Sequence, residues 1–293
     1  MLFSIVLPAV LLIVMFSLGL SLAPADFSRV FREPRGFWTG AFNQILMAPL
    51  VAFLAATVFD LPPTLAVGMM IVGLCPGGAI SNVASHLGRG NVPLSVTLTA
   101  TFSLVSIVSL PPLVALSVYH FIGLDSPPVK VASLSIEMFL LTAVPVFLGV
   151  AVRQAMPLRA GAIQAWMGRI TLFLFVFVLV AALVSNWSLF VENFAALAPD
   201  LIAMNALLLG IGLLTSRIAG LDARSATSVA IETAVHNGTI GIAVGVMVAG
   251  ATSGLPPTTL PTAISSITVW FLTIPFILWR RRVASKEPQR ALA

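Results

Sequence analysis

The sequence predicts an all-α integral membrane protein with about nine transmembrane helices, and three observations support this fold class. Hydrophobic residues make up 59% of the chain, charged residues only 9%, and the mean hydropathy is +1.07, whereas soluble domains carry roughly 25% charged residues. Apolar runs of about 20 residues, which is long enough to cross a bilayer, recur along the chain. Two of these runs are interrupted by glycine, proline and polar residues at corresponding places in the two halves, a pattern typical of transporters.

Short connections separate the predicted spans, and several contain turn residues, as at 62–63, 88–90 and 126–128. The first span could instead be a signal peptide, but no basic residues precede its apolar run. We expect spans at 2–21, 37–59, 64–88, 92–119, 131–152, 168–187, 196–217, 225–249 and 259–280.

The basic residues indicate the orientation in the membrane. Of the 15 Lys and Arg residues, only Lys130 falls on the far side of these spans. The positive-inside rule then predicts an N-terminus outside and a C-terminus in the cytoplasm, in the plasma (cell inner) membrane. The pI near 10.7 therefore reflects topology and not nucleic-acid binding. The single Cys75 excludes an internal disulfide.

The first interrupted span is expected to break between Cys75 and Gly78. Pro76 lacks an N–H and clashes with the preceding turn, and the two following glycines permit unusual backbone angles. A second half-helix would begin near Ala79 and carry Ser81 and Asn82 in its first turn. The partial positive charge at its N-terminus suits an anionic substrate group.

The second interrupted span contains Glu232, the strongest candidate functional residue. A carboxylate in mid-membrane costs about 2.5–3.5 kcal/mol on insertion scales, so it is functional by default; a protonated acid bonded to a neighbouring helix is the alternative. His236 shares its helix face, either as a structural hydrogen bond or as a proton site, since imidazole titrates near physiological pH. The dipeptide Asn237-Gly238 is a natural place for the helix to unwind.

Other polar residues inside spans are open to two interpretations. Ser95 and Thr99 lie four residues apart on one face, which suits helix packing but also offers oxygen ligands to a hard cation beside Glu232. Gln44 is a lone amide in an apolar run, five residues before Pro49.

The chain resembles the bile acid:sodium symporter family in several runs. These are residues 75–83 (CPGGAISNV), 88–96 (GRGNVPLSV) and 20–27 (LSLAPADF), and the segment from Glu232 to Asn237 matches the family's second crossing helix. The resemblance covers nearly the whole chain, and the chain is similar to the nine-span members.

The resemblance implies two inverted repeats and two discontinuous helices that cross at mid-membrane. It also implies a single polytopic domain with a panel subdomain (1–22 and 130–187) that moves relative to a core subdomain (37–119 and 196–280), followed by a short cytoplasmic tail (281–293).

The same resemblance implies two sodium sites and a substrate cavity. The first site would use Ser81, Asn82, Ser95, Thr99 and Glu232. The second would use Gln44, Glu232, the carbonyls of Thr233 and Val235, and residue 236. Asn237, Gly78, Ala79 and Ser266 would face the substrate.

Two residues depart from the family pattern. The family usually has glutamine where this chain has His236, and an imidazole nitrogen is a poor substitute for an amide oxygen around sodium. This puts the second sodium site in doubt, and a protonated His236 is a candidate replacement for its cation. Ala79 stands where the family often has threonine, which argues for a different substrate.

The sequence therefore predicts a secondary active transporter that imports an organic anion with sodium by alternating access. The substrate would be bile-acid-like, pantoate-like or a keto acid. The alternative is a sodium-independent carrier of the same fold, driven by protons or by the membrane potential. A membrane enzyme or sensor is a third hypothesis, which the scarcity of convergent titratable groups disfavours. A monomer is expected, and an oligomer stays open.

Overall fold

The computed structural model describes residues 2–22, 29–123, 129–185, 187–250 and 255–290. The predicted turn at 126–128, residues 23–27 of one quoted motif and residues 291–293 of the predicted tail lie outside these ranges. Within them the chain is helical apart from short connections. The helices are α1 (Leu2–Ser21), α2 (Arg29–Arg32), α3 (Pro34–Val58), α4 (Pro63–Leu74), α5 (Ala79–Leu87), α6 (Val92–Phe121), α7 (Val131–Ala155), α8 (Pro157–Ser185), α9 (Trp187–Ile218), α10 (Ala223–Ala234), α11 (Gly238–Ala249) and α12 (Leu260–Arg290, after a 3₁₀ turn at Pro257–Thr259).

Within the described ranges, six helices are long and apolar enough to cross a membrane by length and composition. They are α3, α6, α7, α8, α9 and the stretch Pro257–Val283. Shorter apolar helices occupy Val6–Ser21, Pro63–Leu74 and Gly238–Ala249. The chain is therefore a multi-pass membrane protein, and the count of nine spans stays a prediction.

Both predicted helix breaks are confirmed. α4 ends at Leu74 and α5 begins at Ala79, while α10 ends at Ala234 and α11 begins at Gly238. The side chain of Asn237 caps α11 by accepting hydrogen bonds from the N–H groups of Thr239 and Ile240, at 3.1 and 3.2 Å.

Three helices extend further than predicted. α8 begins at Pro157 and α9 at Trp187, so the expected connections before residues 168 and 196 are helical. α12 continues through Arg290 into the predicted tail. Hydropathy marks where a helix leaves the apolar layer and not where it ends, and proline at the first helical position favours the start of α8.

Two helices contain a widened turn of π-helix. The turns cover Asn43–Met47 in α3 and Phe139–Ala143 in α7, and in each the following N–H bonds to the carbonyl five residues back. Pro49 and Pro145 each follow one residue after that N–H. A proline ring clashes with the carbonyl four residues earlier, and the wider turn relieves this clash.

The helices pack in two groups. α1 packs on α7 and α8, whereas α9 packs on α10 and α12, and α4 packs on α3, α6 and α12. The contact between α1 and α7 depends on glycine, because a Cβ built on Gly149 would overlap the carbonyl oxygen of Phe16, and one on Gly19 would overlap that of Val146. Small residues allow this close approach of two membrane helices.

We predict that Gly149→Ala destabilises the protein by roughly 1–3 kcal/mol, because overpacking forces the two backbones apart. The measurement is the thermal unfolding midpoint in detergent. Gly210→Ala is the matched control, since nothing lies within 4 Å of a Cβ at that position. Equal midpoints for the two variants would contradict the packing argument.

Candidate cation site and adjoining cavity

The two interrupted helices, α4–α5 and α10–α11, meet at their breaks, and this meeting point is called the crossing below. Gly77 and His236 pair as a single antiparallel bridge, and the N–H of Asn237 donates a 2.8 Å hydrogen bond to the carbonyl oxygen of Pro76. Backbone groups freed by a break in an apolar interior need partners, and here one break supplies a partner to the other. The residues on either side of the crossing are therefore held in fixed positions.

Glu232 lies in the last turn of α10, and three hydroxyl groups surround its carboxylate. The Oγ atoms of Ser81 and Ser95 lie 2.6 and 2.5 Å from its Oε1, and Oγ1 of Thr99 lies 2.9 Å from its Oε2. Ser95 and Thr99 also contact Oδ1 of Asn82, at 2.8 and 3.2 Å. The residues predicted for the first site thus form one cluster, built by α5, α6 and α10.

This cluster contains more acceptor oxygens than protons to share. A hydroxyl has one proton, yet Ser81 lies 2.7 Å from the carbonyl oxygen of Gly78 as well as against Glu232. Ser95 and Thr99 each face both Glu232 and Asn82. In the described part of the chain no Lys or Arg pairs with Glu232. An oxygen-rich site without a counter-ion can hold a hard cation or a proton.

Gly77 allows the backbone to approach the carboxylate. A Cβ built at this position would overlap Oε2 of Glu232 and lie 3.2 Å from Oγ of Ser81. A glycine here leaves room for the carboxylate beside the break, so any larger residue would displace Glu232 from its hydroxyl partners.

The residues predicted for the second site are less closely joined. Nε2 of Gln44 donates to the carbonyl oxygen of Cys75 at 2.9 Å, and Oγ1 of Thr233 donates to that of Val229 at 2.7 Å. Val235 and His236 lie in the second break. None of these side chains is hydrogen-bonded to Glu232 among the described residues.

His236 is half-buried, but its two ring nitrogens are buried. The backbone of Ala234 lies beside the ring, yet neither nitrogen makes a hydrogen bond of normal geometry with the residues that the structure describes. The structural hydrogen bond to Glu232 that the sequence left open is not formed in this structure.

The sequence analysis missed Asn43. Its side chain is fully buried, and its Nδ2 donates to Oγ1 of Thr215 and of Thr233, at 2.9 and 3.1 Å. It lies beside Gln44 in the widened turn of α3. Two adjacent amides in an apolar run shortly before Pro49 were the signal, but the turn that lets both reach neighbouring helices is visible only in the structure.

A cavity of about 50 Å³ adjoins the crossing. One water needs roughly 10–15 Å³ by this measure, so the cavity has room for a few waters. It is lined by the residues predicted to face the substrate (Gly78, Ala79, Asn237 and Ser266), by His236, and by side chains that the sequence analysis did not select, among them Val14, Thr171, Phe175, Val269 and Trp270.

The two helix N-termini at this cavity differ. Asn237 caps α11, whereas no side chain caps α5 at Gly78. The first N–H groups of a helix carry a partial positive charge and lack intrahelical partners. The uncapped start of α5 is therefore the end that is chemically suited to a carboxylate.

Interrupted helices whose breaks meet beside a buried acid and a small cavity are typical of transporters among multi-pass membrane proteins. The chain matches the model of the sodium bile acid symporter family over residues 8–193, which is more than half of its length, and it belongs to that family. The matched range contains α5 and α6 but ends before α10, so Glu232 lies outside it.

Relatives match over most of the chain. It is 29% identical over 274 residues to a probable chloroplastic sodium/metabolite cotransporter of Arabidopsis thaliana, covering 92% of this chain and 66% of the relative. It is 29% identical over 279 residues to a sodium-dependent transporter of Bacillus subtilis, covering 94% and 83%. It is 29% identical over 239 residues to the human ileal sodium/bile acid cotransporter, covering 80% and 67%.

These relatives are named as transporters and cotransporters, and this chain is a transporter and not an enzyme. At the level of the family, the function is sodium-coupled transport of an organic anion or metabolite.

We predict that Gly77→Ala abolishes stabilisation by sodium, because the added Cβ displaces the carboxylate of Glu232. The measurement is the rise in unfolding temperature of the purified protein between sodium-free and sodium-containing buffer. Gly78→Ala is the control, since a Cβ there meets Asn237 at an ordinary 3.4 Å. A normal sodium response in Gly77→Ala would contradict the close-approach argument.

Proposed function

We propose that this protein is a secondary active transporter that imports a small organic anion together with sodium by alternating access. The observation that carries the proposal is the carboxylate of Glu232, which is 5% exposed, surrounded by three hydroxyls and unpaired with any basic side chain in the described ranges. The first sodium ion is a transported substrate, and it is bound by Ser81, Asn82, Ser95, Thr99 and Glu232.

Charge accounts for the coupling between the ions and the anion. Glu232 contributes one negative charge and two bound cations contribute two positive charges, so the loaded site attracts a monoanion and becomes neutral when it binds. Each ligand then raises the affinity for the other, because coupling between sites is reciprocal.

The second positive charge is a proton on His236 instead of a second sodium ion. Its ring lies beside the cavity and four residues from Glu232, and its two nitrogens make no hydrogen bond of normal geometry with the described residues, which supports this assignment. In this proposal Gln44 and the carbonyls of Thr233 and Val235, which the family resemblance assigns to the second site, would complete it. A carrier of the same fold that uses protons alone, without sodium, is the second candidate, and the same histidine favours it.

The substrate is an organic anion with a carboxylate and an apolar body, which is bile-acid-like, pantoate-like or a keto acid. The uncapped start of α5 receives the carboxylate, and Asn237 and Ser266 offer further polar contacts. Apolar side chains that also line the cavity, Val14, Phe175 and Trp270 among them, suit the apolar body. Ala79, at the start of α5, has no hydroxyl to offer to the substrate.

Alternating access would move a panel subdomain (1–22 and 130–187) against a core subdomain (37–119 and 196–280). The separate packing of α1 with α7 and α8 supports this division. The cavity contains residues from both groups, Val14 and Phe175 from one and Asn237 and Trp270 from the other. In this proposal the nine spans form two inverted repeats in the cell inner membrane, with the N-terminus outside and the C-terminus inside.

We predict that Glu232→Gln removes most of the sodium-dependent stabilisation, which for one saturating site at 100 times Kd is about 2.7 kcal/mol. The physical reason is the loss of the only charge in the cluster. Thermal unfolding against sodium concentration measures it, with choline as the replacement cation. Glu137→Gln, an exposed carboxylate on α7, should respond like the wild type. An unchanged sodium titration in Glu232→Gln would refute the assigned role.

We predict that anion uptake depends on both sodium and pH between pH 5.5 and 8, at fixed membrane potential, and that His236→Gln removes the pH dependence. Glutamine supplies an amide oxygen, so this variant should bind a second sodium ion, seen as a steeper sodium dependence. His120→Gln, at the exposed end of α6, is the control. A wild-type uptake rate that does not change with pH would exclude the proton on His236. Uptake in the absence of sodium would favour the carrier that uses protons alone.

A further inference from the structure

A groove separates the first turns of α3 from the last turn of α9, far from the crossing in sequence and at the end of the helices where arginines concentrate. Its volume is about 650 Å³. On α3 it is lined by Arg35, Trp38, Thr39 and Phe42, which share one helix face because they lie three and four residues apart. The other wall consists of Thr215, Ile218 and Ala219, with Pro34 at the rim.

The groove changes from charged to apolar along its length. Arg35 lies at one end, and Phe42 lies seven residues further along α3, about 10 Å away at 1.5 Å per residue. Trp38, which is 64% exposed, lies between them, and tryptophan favours the boundary between headgroups and hydrocarbon. Ile218 is 78% exposed on the facing wall. A molecule with an anionic head and an apolar chain matches this order of side chains.

The charged end of the groove is formed by Arg35. Arg35 forms no ion pair within the described ranges of the chain. The nearby carboxylates face other elements: Glu33 accepts a 2.6 Å hydrogen bond from Nδ2 of Asn91, and Asp222 caps α10 through the N–H of Ser225 at 2.8 Å. Arg32 and Arg217 are exposed and lie next to groove-lining segments in the sequence, which adds positive charge to this part of the protein.

We propose that this groove binds an anionic membrane phospholipid, with its phosphodiester on Arg35 and one acyl chain along Phe42 and Ile218. Basic pockets between membrane helices on the cytoplasmic side suit anionic headgroups. A zwitterionic lipid binds more weakly, because its ammonium group would lie beside the guanidinium of Arg35. The proposal is independent of sodium coupling.

The position of the groove gives its occupant a structural role. Oγ1 of Thr215, on the groove wall, accepts the 2.9 Å hydrogen bond from Asn43, and Asn43 also bonds Thr233, the neighbour of Glu232. A lipid bridging α3 and α9 therefore stabilises the two helices that the hydrogen bond between Asn43 and Thr215 joins.

The test uses the purified full chain, titrated with phosphatidylglycerol or with phosphatidylcholine of the same acyl chains. Native mass spectrometry measures bound lipid, and thermal unfolding measures stabilisation. We expect wild type to retain phosphatidylglycerol in preference to phosphatidylcholine, and Arg35→Gln to weaken phosphatidylglycerol binding about five- to tenfold through loss of the charge-assisted contact. Arg35→Lys, which keeps the charge, should keep the preference.

Arg159→Gln, an exposed arginine at the start of α8 that does not line the groove, is the matched control and should bind lipid like the wild type. The proposal would be overturned if the wild type retained the two lipids equally. It would also be overturned if Arg35→Gln bound phosphatidylglycerol as tightly as the wild type does. Equal stabilisation by inorganic phosphate without lipid would also overturn it, because it would indicate a site for free phosphate.

Discussion

A carboxylate in the middle of a membrane protein must be neutralised, and the arrangement around Glu232 follows from that constraint. Desolvating a charge in an apolar interior is expensive unless other groups solvate it. Here the hydroxyls of Ser81, Ser95 and Thr99 do so. They supply dipoles and no net charge, so neutralising the carboxylate requires a cation or a proton. In the proposed function this is a sodium ion that binds and leaves during transport.

The broken helices make this solvation possible. A continuous helix would use its backbone groups internally and present only side chains, whereas the first break brings the backbone at Gly77 against the carboxylate. Pro76 ends the helix and its carbonyl then accepts from Asn237. Each break thus supplies a partner to the backbone of the other, which lets two interrupted helices lie among apolar ones.

Sequence reasoning located the elements that depend on local chemistry. Proline and glycine residues predicted the first break at Cys75–Gly78, and the asparagine before Gly238 predicted the second. Glu232 was identified because a carboxylate within a membrane span is costly to insert. The lengths of helices α8 and α9 were underestimated, because polar residues such as Glu192 and Asn193 lower the hydropathy of a segment without ending the helix. Asn43 was missed because its role depends on a widened turn and on Thr215 and Thr233, which lie 172 and 190 residues away in the chain.

The start of α5 links the two ligands of the proposed mechanism. The side chain of Ser81, in its first turn, contacts Glu232, while Ala79, at its uncapped N-terminus, lines the cavity. A cation bound among the hydroxyls would hold Ser81 and Asn82 on that side and so orient the same turn toward an anion on the other. Coupling then needs no long pathway, because one helical turn contacts both sites, and any movement that separates α5 from α10 weakens cation and anion binding together.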